Sequence, residues 1–108
     1  MLKITVQEAA KEHVIRLEGK IVGPWVEEFA RTWRSLEQSR GSKDLRLDLR
    51  GVAFVDGNGR QLLHEIYEKT HASFLADSPL THYFASEAMQ QKSYDKNQGA
   101  QNARTVWI

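Results

Sequence analysis

Residues Leu45–Arg60 read LRLDLRGVAFVDGNGR, and they carry the clearest statement of fold in this 108-residue chain. Leu45, Leu47 and Leu49 alternate with Arg46, Asp48 and Arg50, the two-residue period of a strand with one covered face. A turn and a short apolar run follow. The loop Gly57-Asn58-Gly59 then opens into the helical pattern of Leu62, Leu63, Ile66 and Tyr67. A central parallel strand covered on both faces would be apolar throughout. Here one face is charged, so helices are expected on one side of the sheet, with solvent or a partner on the other. The loop lies at the carboxyl end of a strand and the amino end of a helix, where α/β folds usually place their binding sites.

Towards the N-terminus, Leu2, Ile4 and Val6 alternate with Lys3 and Thr5, and Ile15 and Leu17 alternate with Arg16 and Glu18. The polar EAAKE run between them reads as a turn or hairpin. Two strands joined so closely are most simply antiparallel neighbours. Gly23-Pro24 then punctuates the chain, and Pro24 suits the first turn of a helix, where its missing N–H has no partner to lose. Trp25, Phe29, Trp33 and Leu36, flanked by Val26 and Ala30, form one apolar stripe on a helix running to about Ser39. Glu27 and Arg31 are spaced for an ion pair on its outer face. Trp33 is expected in the core, while Trp25, beside Gly23-Pro24, suits either core packing or an interface.

Towards the C-terminus, Glu65 and Lys69 are spaced for an ion pair on the second helix. The run ASFLA at 72–76 reads as another strand. Ser78 caps a third helix with Pro79 at its first position, and Leu80, Phe84, Ala88 and Met89 mark its inward face. The order is therefore β-β-α-β-α-β-α. Right-handed crossovers stack such units side by side. The expectation is an α/β fold, a one-sided β-α stack with a mixed sheet of four to five strands and three helices on one face. Residues 1–92 make the domain and 93–108 a polar tail. The β-prone Thr105-Val106-Trp107-Ile108 at its end is placed to form a final strand or to dock on another subunit.

Hydrophobic and charged shares of 41% and 27% suit one soluble domain. A net charge of +1 argues against nucleic acid or an anionic membrane as the main partner. There are no cysteines, hence no disulfide and no thiolate chemistry. The first residues lack the apolar core of a signal peptide, and no apolar run approaches the roughly 18 residues that suggest a membrane span. The chain reads as cytoplasmic. His13, His64, His71 and His82 show no metal-ligand spacing, and His64 with Glu68 reads as a surface pair. The Gly-x-Gly at 57–59 lacks the third glycine of a dinucleotide loop, because Leu62 fills that place. No enzyme, cofactor or metal is expected.

The loop itself has two readings. Asn58 as N-cap, with Gln61 three residues on, makes a capping box, and glycines at 57 and 59 permit unusual backbone angles. Alternatively, its N–H groups hold an anion or a partner carboxylate. Arg60 in the first helical turn opposes the helix dipole by a few tenths of a kcal/mol. It is either a tolerated surface residue or is offset by an acidic partner, a bound anion or Asp56.

The run LRLDLRGVAFVDGNGRQLL resembles the core of a STAS domain (sulphate transporter and anti-sigma-factor antagonist). Val52, Phe54, Val55, Asp56 and Gly59 match that family's Val-x-Phe, aliphatic, Asp-Ser-Ser-Gly pattern. The resemblance extends more weakly from the first strand through the helix at Pro79. It implies a non-enzymatic module of bacterial signalling and transcription control that docks a protein partner, an anti-sigma-factor kinase or a sensor, through Asp56, Gly57, Asn58, Gly59 and Arg60. In such relatives the second serine of the loop is phosphorylated by the partner kinase, which releases the complex. Here the two serine positions are Gly57 and Asn58, neither of which can carry a phosphate ester, so Asn58 stands as a degenerate phosphoacceptor. Docking is then constitutive or controlled elsewhere. Two other readings accompany this one: a STAS module for a small ligand (nucleotide, anion or lipid-like), and a homo-oligomeric scaffold subunit, with a homodimer as its simplest form.

Overall fold

β1 (Leu2–Glu8) and β2 (Glu12–Ile21) pair antiparallel in full register, Leu2 opposite Gly19 and Glu8 opposite His13. A computed structural model describes residues 1–90 of the chain, and the remaining elements are α1 (Pro24–Arg40), β3 (Asp44–Val55), α2 (Gly57–Thr70), β4 (Ser73–Leu75) and α3 (Pro79–Met89). The strands lie in the order β1-β2-β3-β4, with β2, β3 and β4 mutually parallel. This is the mixed, four-stranded end of the expected range, and the expected element order is found. The domain limit at 92 and the strand reading of Thr105–Ile108 lie outside the described residues.

The core is one layer between sheet and helices. Ile15, Leu17 and Ile21 of β2 and Leu47, Leu49 and Val55 of β3 have no exposed surface. Phe29 and Trp33 of α1, Leu63 and Ile66 of α2, and Phe84 of α3 close over them. Each such side chain contributes about 1.5–3 kcal/mol by leaving water. The stripe read on α1 is therefore the buried face. Trp25 is half-buried against the core, so it belongs to the packing.

Three features of this frame differ from the sequence reading. First, β3 is one strand of twelve residues, not a strand, a turn and an apolar run. Arg16–Glu18 of β2 oppose Asp48–Gly51, and Gly19–Lys20 oppose Val52–Phe54, so β3 carries one extra residue at each place. Each bulge shifts the alternation by one, which makes the buried series Leu47, Leu49, Val52, Val55. The Arg50-Gly51 turn is the first bulge.

Second, Asp48 on the charged face is buried, only 4% exposed. Its carboxylate accepts from the Arg50 backbone N–H, Nε and Nη2 at 3.0, 3.0 and 2.9 Å. The Arg50 guanidinium thereby holds the Asp48 carboxyl below the usual carboxylate range. Third, α3 turns Thr81, Phe84, Ala85 and Ala88 inward and leaves Leu80 and Met89 exposed. The cap sets that rotation: Thr81 N–H donates to Ser78 Oγ at 3.1 Å, and Thr81 Oγ1 accepts from the N–H groups of Ser78 and Asp77 at 3.0 Å each. Among the surface ion pairs, Glu65–Lys69 forms as expected at 3.6 Å, whereas Arg31 reaches Glu28 at 2.7 Å instead of Glu27.

Candidate functional site

The connections after β2, β3 and β4 all leave the sheet at the carboxyl edge of its parallel strands. The first two are joined by one side chain. Asp56 has extended backbone (φ −79°, ψ 180°) and forms the N-cap of α2. Its Oδ1 accepts from Gly59 N–H at 2.8 Å, and its Oδ2 accepts from Gly23 N–H at 2.9 Å. Its own N–H donates to Ile21 O at 3.1 Å, and its carbonyl accepts from Arg60 N–H at 2.9 Å. The Gly23 and Gly59 N–H groups, in that order, hold the Asp56 carboxyl below its ordinary range, with a further contribution from the Arg60 charge.

Asp56, and not Asn58, is therefore the cap, and no box with Gln61 forms. The strand still pairs with Ile21 at Asp56, so the helix begins immediately after it. Asn58 lies in the first turn, exposed, above a polar groove where Gln61 and Leu62 face Val26, Glu27 and Arg34 of α1. The glycines also act differently from the expectation. Neither Gly57 nor Gly59 has a positive φ. Gly59 is required for space: a Cβ there would lie 2.7 Å from Val55 Cγ1 and 2.8 Å from Ile21 O. The backbone conformation that favours glycine occurs at Gly23 (φ 54°, ψ −131°), where it presents the N–H to Asp56.

Arg60 is offset from within the chain. Its Nε lies 3.5 Å from Glu87 Oε1 on α3, with both side chains little more than a third exposed. His64 also joins α2 to α3, its Nδ1 2.8 Å from Ala88 O and its Nε2 3.9 Å from the Glu68 carboxylate. Beside the loop, Phe54 packs edge-on to Phe84 with ring centroids 6.3 Å apart, and Tyr83 lies 5.6 Å from Phe84. Phe54, Leu80 and Tyr83 are 46%, 44% and 53% exposed, an apolar surface drawn from β3 and α3. No cluster of three or more His, Cys, Asp or Glu that could hold a metal occurs among the described residues.

No protein-family model matches the sequence, and no curated protein matches it significantly. Solved structures do match. An anti-sigma factor antagonist from Mycobacterium paratuberculosis superposes with a TM-score of 0.69 at 20% identity, covering 77% of this chain and 74% of that one. The anti-sigma factor antagonist SpoIIAA in its unphosphorylated form gives 0.62 at 16% identity, covering 75% and 79%. An antisigma-factor antagonist STAS domain from Rhodobacter sphaeroides gives 0.55 at 20% identity, covering 82% and 96%.

The chain has the STAS fold. Identities this low speak for the fold alone, and they agree with the resemblance carried by Val52–Gly59. No helix among the described residues is long and apolar enough to cross a membrane. On this STAS frame the five residues singled out from sequence, Asp56 to Arg60, form one continuous cap and first turn. Sequence reasoning missed the border of that surface. Phe54 entered only as a motif match, and Tyr83 carried no signal, because the stacking of Phe54, Phe84 and Tyr83 joins β3 to α3, which local pattern does not show.

Proposed function

We propose that this chain is a cytoplasmic, non-enzymatic regulatory module that docks a protein partner of the anti-sigma-factor kinase or sensor class through Asp56–Arg60. One observation carries the reading: the Asp56 carboxylate ties the β2–α1 and β3–α2 connections together two residues after exposed Phe54, which packs on Phe84 of α3 beside exposed Tyr83. A surface set in this way loses little entropy on docking, and exposed aromatic residues are enriched at interfaces. The likeness to anti-sigma factor antagonists supports the same class of partner. Asn58 has a carboxamide where a phosphoacceptor needs a hydroxyl, so docking is not switched by phosphorylation at that position.

Asn58→Arg tests the assignment, since Asn58 is exposed and a cation in the first turn costs α2 only a few tenths of a kcal/mol. A protein recovered from source-cell lysate on immobilised wild-type chain should be lost from the variant at unchanged thermal stability. Equal recovery on both would overturn the loop assignment.

A further inference from the structure

Asn58 precedes Gly59, the neighbour that least hinders attack of its own backbone nitrogen on an asparagine side chain. Of the asparagines at 58, 97 and 102, it alone is followed by glycine. Its side chain is exposed to water. Yet the attacking atom, Gly59 N, donates its proton to Asp56 Oδ1 at 2.8 Å and is fixed in the first turn of α2. The hydrogen bond holds the proton that must leave, and helical backbone keeps the nitrogen away from the carboxamide carbon.

We propose that Asn58 is a deamidation site gated by the Asp56 cap. Local opening of the cap frees Gly59 N to lose its proton and bond to Asn58 Cγ. The Cγ–N bond of the carboxamide breaks, ammonia leaves, and a five-membered succinimide remains. Water adds to one of its two carbonyls and opens the ring to aspartate or isoaspartate, with water as the only co-reactant. Aspartate at 58 is favourable beside the positive end of the α2 dipole. Isoaspartate inserts a methylene into the backbone before Gly59 N, which breaks the regular spacing of the first turn of α2. On the reading that this loop docks a partner, conversion changes the charge of the docking surface; the chemistry does not depend on that reading, and the test measures the chemistry alone.

The full chain is incubated at physiological temperature and mildly alkaline pH, then cut with trypsin to release Gly51–Arg60. The mass gain of amide-to-acid conversion in this peptide reports Asn58 alone, because Asp56-Gly57 isomerises without changing mass. Chain unfolded in guanidinium should convert fastest and folded wild type slowest. Asp56→Ala should convert about fivefold faster than wild type, the change in opening equilibrium that loss of a typical cap brings. Asp56→Ser, whose hydroxyl can still cap Gly59, should stay close to wild type. Folded wild type converting at the unfolded rate, or a folded Asp56→Ala no faster than wild type, overturns the proposal. If the alanine variant does not fold, the serine variant decides: the wild-type rate supports the gate, and the unfolded rate overturns it.

Discussion

Replacing Asp56 with alanine removes two hydrogen bonds that hold two connections at once. Loss of the N-cap to Gly59 costs about 1 kcal/mol. The bond to Gly23 is solvent-exposed and bridges two loops, and a net hydrogen bond of this kind adds about 1 kcal/mol. The expected loss is therefore about 2 kcal/mol at neutral pH, which for a domain of this size lowers Tm by ~10 °C. Urea unfolding of both proteins gives the difference directly, with the slope m unchanged because the same surface is exposed. Acid supplies the control. The Asp56 carboxyl is held below its ordinary range, so its folded value lies under the unfolded value of about 3.9. Its stabilisation is complete above the unfolded value and disappears as pH falls through the folded one. The gap between wild type and Asp56→Ala should close on acidification. A loss below about 0.5 kcal/mol at neutral pH, or a gap indifferent to acid, would refute the clamp.

Three further outcomes are expected. Gly59→Ala should cost about 2 kcal/mol through overpacking against Val55 and Ile21, whereas Gly57→Ala, whose Cβ meets nothing, should be neutral or stabilise by about 0.5 kcal/mol. Chemical unfolding of the pair checks the contrast. His13 is 2% exposed, and neither ring nitrogen has a hydrogen-bond partner among the described residues. His13→Leu should raise stability by about 1 kcal/mol, read as a higher urea midpoint. Asp48 and Glu37 are held low by Arg50 and Arg40, in the same sense as Asp56. Stability of the wild-type chain should accordingly be flat at neutral pH and fall below about pH 4, as a pH series of unfolding midpoints would show.

Much of the fold could be read from local pattern. The strands, the α1 stripe and the Ser78-Pro79 helix start each follow from periodicity or capping chemistry within a few residues. The rest depends on contacts that the alternation of residues does not carry. The bulges in β3 appear only against β2, and they turn an apparent turn at Gly51 into strand. Asp48 is buried because Arg50 folds back over it, which alternation alone cannot show. Asn58 opens an apparent capping box, but the pairing of Asp56 N–H with Ile21 O starts the helix at Gly57, so Asp56 takes the cap and its carboxylate also reaches Gly23. Local pattern leaves Arg60 either tolerated or offset by an acidic partner, an anion or Asp56, and does not single out Glu87, because that residue lies on another helix. The candidate loop was legible as a place, and its mechanics were not.

Docking of a protein at the carboxyl edge of the sheet, as proposed, has a direct spatial signature. Hydrogen exchange of the chain, alone and with the protein it captures, locates the contact most directly. Docking there slows exchange at residues 54–60 and 80–84 and leaves the open face carrying Arg16 and Arg50 unchanged. Protection confined to that open face, with residues 54–60 exchanging as in the free chain, would contradict it.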